Sequence, residues 1–143
     1  MKKTNTVNTD SYLEHIETSL TYVGISEKSL LEIRFKKDEY EVDVEDQKQI
    51  QNAVEKLTNN GKDRYHILVI PGMFGGITPE ARDKEMFKTG VFSDQRSISI
   101  IVNSLPQRIL GNFYFHFKKQ KPKYPFQLFS SEEMALKWIR SNN

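Results

Sequence analysis

The stretch HILVIPGMFGGITPEAR, residues 66–82, decides how the chain is to be read. With the two residues before it, RYHILVI forms a short apolar run whose two faces are both largely apolar. A strand of that kind belongs in the middle of a sheet, covered on both sides. Gly72, Gly75 and Gly76 then interrupt the run, and Thr78-Pro79 opens a helix. Thr78 is a good N-cap, and Pro79 falls at N1, where its missing N–H is no loss. The helix is expected to reach Lys88. Strand, glycine loop and helix together make half of a β-α-β unit.

The glycines invite a test as a phosphate loop, and they fail it. A P-loop needs G-x-x-x-x-G-K-[ST], and here Ile77 follows the glycine pair with no Lys-Thr after it. The dinucleotide spacing G-x-G-x-x-G is also absent. Two readings remain. One is a plain strand-to-helix turn. The other is an anion or partner site, because glycines allow close backbone approach and a helix start presents free N–H groups. Arg82 lies one turn in and could assist, whereas Pro79 removes one donor. Thr78 also stands where a phosphate on its hydroxyl would meet the helix start. Simple capping is the plainer reading.

Downstream, SISIIVN (97–103) is a second buried strand. SLPQRILGNFYFHF (104–117) reads as a helix, with Leu105, Ile109, Phe113 and Phe117 in one i+4 row and Pro106 in its first turn. Strict alternation leaves a strand as the alternative for FYFHF. Phe113, Tyr114, Phe115 and Phe117 leave little polar face. They imply burial plus a homodimer contact, with an apolar ligand pocket as runner-up. A proline-broken basic loop follows, then the strand FQLF. The last helix opens on a Ser-x-x-Glu box at Ser130–Glu133, with Phe129 stapling onto Met134. Ala135, Trp138 and Ile139 face its core side.

Upstream, residues 1–10 are polar and expected to fray, leaving 11–143 as one domain. Tyr12–Val23 mixes helical spacing with strand formers, and at least Ser19–Val23 reads as strand. GISEK (24–28) makes a turn. SLLEIRFK then alternates, with Leu31, Ile33 and Phe35 against Glu32, Arg34 and Lys36, so the pair forms an antiparallel hairpin. Lys37-Asp38-Glu39 turns again and Tyr40–Val42 adds a short third strand. Val44–Thr58 is the clearest helix. Ile50, Ala53, Val54 and Leu57 share one face, Asp43 caps it with Asp46 three residues on, and Gly61 stops it. The expected fold is α/β: a single mixed sheet with an N-terminal antiparallel hairpin, then parallel strands from β-α-β units.

Composition narrows the function. The chain has 143 residues, 37% hydrophobic and 28% charged, as in ordinary globular domains. It has no cysteine, which excludes disulfides, thiolate metal sites and cysteine nucleophiles. No apolar run approaches the roughly 20 residues of a membrane span, and the first residues do not read as a signal peptide. A cytoplasmic location is expected. Net charge is +2, but residues 1–60 carry 8 bases against 12 acids, and residues 104–143 carry 7 against 2. That asymmetry steers partners without arguing for nucleic acid. Lys118, Lys119, Lys121 and Lys123 sit at a helix end and in a loop, where they suit the dipole and solvent. His15, His66 and His116 are scattered, so no metal set is spaced in the sequence, and no G-x-S-x-G elbow is present. No cofactor is implied.

The stretches HILVIPGMFGGITPEAR, RSISIIVNSLPQRILGNFYFHFKKQKPKYPFQLF and SSEEMALKWIRS resemble the small bacterial SpoIIAA-like domains of the STAS/SEC14 type, over about residues 25–141. The resemblance implies a mixed sheet with a front hairpin and packed helices. In the anti-sigma-factor antagonists, a serine in an Asp-Ser-Ser-Gly-Leu-Gly run at the corresponding helix start is phosphorylated. Here that place reads GMFGGITPEAR, so Thr78 keeps the position while the motif is gone. The expected function is a non-enzymatic protein-interaction domain, regulatory in kind. Its binding edge comprises Gly72, Gly75, Gly76, Thr78 and Arg82 with the next helix start at Asn103, Ser104 and Arg108. The alternative is a SEC14-like carrier of a small apolar, lipid or anionic ligand.

Overall fold

A computed structural model describes residues 9–84, 86–88, 90–102 and 125–141. The fold is α/β. Six strands form a mixed sheet in the order β1-β2-β3-β5-β7-β8. These are β1 (Glu14–Glu17), β2 (Thr21–Glu27), β3 (Leu30–Phe35), β5 (His66–Ile70), β7 (Ser97–Ile101) and β8 (Phe126–Phe129). The first three are antiparallel, and β3, β5, β7 and β8 run parallel. Two further strands, β4 (Glu39–Val42) and β6 (Phe74–Ile77), make a separate parallel ribbon. The helices described are α1 (Val44–Leu57), α2 (Pro79–Asp83) and α3 (Glu132–Ser141).

Side-chain alternation builds the two layers. Along β5, Ile67 and Val69 face one way, while Leu68 and Ile70 face the other, and all five residues of the strand are buried. The first face meets α1, whose buried Ile50, Ala53, Val54 and Leu57 pack with Val23, Leu31, Ile33 and Ile98. The second face meets α3 through Ala135 and Ile139. Burying each such aliphatic side chain contributes about 1.5–3 kcal/mol, so this central double layer supplies most of the cohesion. α1 starts as expected: Asp43 accepts from the Asp46 N–H at 2.8 Å, and Asp46 accepts from the Asp43 N–H at 2.9 Å. Those backbone and side-chain bonds hold the Asp43 carboxyl below its usual range. The helix ends with Asn59, Asn60 and Gly61 all at positive φ.

Several local expectations are corrected. GISEK is not the hairpin turn, since β2 runs on to Glu27 and the turn is Lys28-Ser29, with Ser29 at φ 70°. A register shift between Ile25 and Glu27 lets the strand continue. The ambiguous Tyr12–Val23 segment contributes an extra edge strand, β1, before β2. Tyr40–Val42 does form a strand, but it pairs with β6 rather than extending the hairpin. The helix expected over Thr78–Lys88 stops at Asp83, and 3-10 turns follow at Met86–Lys88 and Gly90–Asp94. Phe87 and Phe92 explain the break. Both are buried in the core, edge to face at 5.1 Å, and a continuous helix would carry Phe87 past it. At the last helix the cap is Ser131, whose Oγ accepts from the Met134 N–H at 3.3 Å. Met134 is exposed, and Phe129 packs on Trp138 at 5.6 Å instead. Apart from β1, the short α2 and a strand (Phe74–Ile77) where a glycine loop was expected, the described strands and helices fall near their expected places.

Candidate functional site

The first two parallel crossovers each carry one strand of the ribbon. β3 ends at Phe35 and leads to β4, and β5 ends at Ile70 and leads to β6. The ribbon therefore lies beyond the C-terminal ends of two neighbouring sheet strands, where open α/β folds recognise ligands. Its register pairs Glu39 with Phe74, Tyr40 with Gly75, Glu41 with Gly76 and Val42 with Ile77. Hydrogen bonds close both ends, from the Phe74 N–H to the Asp38 carbonyl (2.8 Å) and from the Thr78 N–H to the Val42 carbonyl (2.9 Å).

The glycine loop is thus a strand, and most of its glycines are consumed by internal packing. A Cβ on Gly72 would strike the Lys37 carbonyl oxygen and lie 2.8 Å from the Asp38 Cα. A Cβ on Gly75 would strike the Tyr40 phenol. Tyr40 stacks on Phe35 at 4.4 Å, and its hydroxyl accepts from the Gly72 N–H at 3.2 Å. Gly76 differs, because a Cβ there would meet only the Tyr40 carbonyl at 3.7 Å. Sequence reading missed Tyr40 as the reason for the glycines. A lone tyrosine in a short acidic strand carries no local sign that it lies against a segment 35 residues on.

Thr78 caps α2 as expected, accepting from the Ala81 N–H at 3.2 Å. Arg82 is exposed and lies 3.8 Å from the Asp83 carboxylate. With only five residues, α2 has little dipole to offer an anion. Its place is held from α1 instead: the buried Gln47 side chain donates to the Ala81 carbonyl at 2.8 Å. Gln47 was readable, since it continues the Ile50, Val54, Leu57 stripe with a polar residue. Asn103, Ser104 and Arg108, expected on the same edge, lie outside the described residues, as do Phe113, Tyr114, Phe115 and Phe117.

On the ribbon's outward face stand Glu39, Glu41, Phe74 and Gly76. Phe74 is 54% exposed and the adjoining Met73 47%. Those two neighbours are the ribbon's departure from ordinary packing.

A second polar cluster occupies the α3 side of the sheet. The Tyr12 hydroxyl donates to Glu32. Arg34 donates to Glu32 at 3.0 Å and to Glu132 at 2.8 Å. The cluster ties the N-terminal segment and the α3 start to β3. Burial, then the hydrogen bond to Glu32 and its charge, push the Tyr12 phenol above its usual value near 10. A group raised in the folded state stabilises below the unfolded value and loses that contribution as pH climbs through it. Stability is therefore expected to fall as pH rises past about 10, and Tyr12→Phe to flatten that fall. Urea midpoints at pH 8 and pH 11 read it. An unchanged slope in the variant removes Tyr12 as the titrating group.

His66 is buried at the start of β5, with Nδ1 2.6 Å from the Ser97 Oγ. Among the described residues no three His, Asp or Glu side chains come together as a metal set, and no helix is long and apolar enough to cross a membrane.

No curated protein and no solved structure matches the chain. A family model does match, over residues 24–143, which takes in β3 to α3 and the whole ribbon. The chain belongs to that family, described as the domain of unknown function DUF7793.

Proposed function

We propose that the chain is a non-enzymatic, cytoplasmic protein-interaction domain, regulatory in kind, as its resemblance to anti-sigma-factor antagonists implies. One observation carries the reading. Met73 and Phe74 are exposed side by side at a ribbon beyond the strand ends. Large apolar side chains at such a place favour a protein partner, since aromatic and methionine side chains supply much of the affinity at interfaces. The Tyr40–glycine packing beneath them fixes the ribbon before any partner arrives, so little ordering opposes binding.

The anion reading has less behind it. The backbone N–H groups of Gly72 and Phe74 bond within the protein itself, and Thr78 is occupied as a cap.

Met73→Ala/Phe74→Ala is expected to lower partner capture at least tenfold, with the thermal midpoint held within about 2 °C. The measurement is quantitative pull-down from the native cytoplasm, alongside thermal unfolding. Equal capture by the double variant moves the interaction off this ribbon.

A further inference from the structure

The same outward face suggests the chemistry of its partner, and this inference rests on the protein-interaction reading. Residues 38–46 hold six acids and no base. Strand alternation sorts them. Tyr40 and Val42 turn inward, where they pack with the core, while Glu39 and Glu41 are exposed. Through the parallel register Glu39 stands beside Phe74 and Glu41 beside Gly76. Along the backbone the two glutamates are separated by two residues of one strand, about 6.6 Å. Beside Glu41 stands Gly76, which itself carries no side chain.

We infer that this face docks an extended polypeptide segment of a separate protein, one carrying lysine or arginine at alternate positions with an apolar residue between. The repeat of such a segment matches the backbone spacing of the two glutamates. A cation at Glu39 stands beside its register partner Phe74, whose ring attracts it further. The apolar residue covers Phe74 and Met73. Neutral or acidic segments gain nothing from Glu39 and Glu41 and suffer repulsion if acidic. Charge here sets the choice of partner, and the aromatic supplies the contact area.

Two measurements test this. The first is fluorescence anisotropy with labelled synthetic octapeptides, (Lys-Val)4 and (Glu-Val)4, against the full chain at 50 and 300 mM salt. The lysine peptide is expected to bind and to weaken at least fivefold at the higher salt. Glu39→Gln/Glu41→Gln and Phe74→Ala should each weaken it at least tenfold, and the control Glu14→Gln/Glu133→Gln less than twofold. Absence of binding, equal binding of the glutamate peptide, or equal loss in the control overturns the inference. The second replaces Phe74 with a photoreactive phenylalanine and identifies the cross-linked segment from the native cytoplasm by mass spectrometry. A basic alternating segment of another protein supports the inference. A segment without bases, or a second copy of this chain, overturns it while leaving the interaction reading standing. No cross-linked segment at all overturns both.

Discussion

Gly72→Ala is expected to destabilise the fold by about 3 kcal/mol, while Gly76→Ala, four residues on, leaves it unchanged or gains up to about 1 kcal/mol. The contrast follows from what each Cβ meets. At Gly72 it meets backbone: the Lys37 carbonyl oxygen, then the Asp38 Cα at 2.8 Å and carbonyl oxygen at 2.9 Å. Backbone cannot rotate away, so the turn after β3 and the exit of β5 must part. Parting them also weakens the bond from the Gly72 N–H to Tyr40 and draws Tyr40 off Phe35. At Gly76 the new methyl finds ordinary contact at 3.7 Å, at a φ that is not positive, and the unfolded chain loses freedom. Urea unfolding of both variants measures the difference. Similar midpoints would mean that the close crossing of β5 and the Lys37–Asp38 segment is not a constraint on the fold. If these glycines served a ligand instead, both substitutions would leave stability alone and act on binding.

The same stretch shows what local sequence does and does not carry. α1 was legible because period, cap and stop all agree at one place. β5 and β7 were legible because uninterrupted apolar runs of that length have few other uses. β6 was not, because its FGGI sequence has poor strand propensity, and its pairing partner lies in another crossover. The strand exists because β4 supplies the ladder and Tyr40 needs the space. α2 was overread for the opposite reason. Its start is well marked, but its end is set by where Phe87 and Phe92 must go, a tertiary demand with no signal in the helix itself. Of the candidate site, Thr78 as a cap was readable. Phe74 was not, because an apolar residue beside an apolar strand is by default taken as core. Only the register, which turns Gly75 inward and Phe74 outward, reveals its exposure.

Gly24 and Tyr12 form a second close approach, and their double-mutant cycle is expected to be strongly non-additive. A Cβ on Gly24 would lie 2.6–2.8 Å from three atoms of the Tyr12 ring. The ring is nearly buried and cannot swing aside, because its hydroxyl is held by Glu32 and the Leu13 N–H is held by the Ile25 carbonyl at 2.8 Å. Gly24→Ala must therefore lift the whole Tyr12 segment, at about 2–3 kcal/mol. Tyr12→Ala alone removes the ring and leaves Glu32 with Arg34, again at about 3 kcal/mol. In the double variant the methyl meets open space where the ring was. Gly24 is not at positive φ, so its alanine there should be harmless or mildly stabilising. The double variant is thus expected to match Tyr12→Ala alone, a coupling of about 2–3 kcal/mol measured by urea unfolding. Additive losses would show that the Tyr12 ring is not what requires glycine. Because the family match begins at Gly24, a coupled result would also mean that this glycine is filled by sequence ahead of the matched region. The Tyr12 segment would then be an integral layer of this chain, and shortening it to the matched residues, which also removes β1 and the buried Thr21 and Val23 of β2, would cost more than Tyr12→Ala alone.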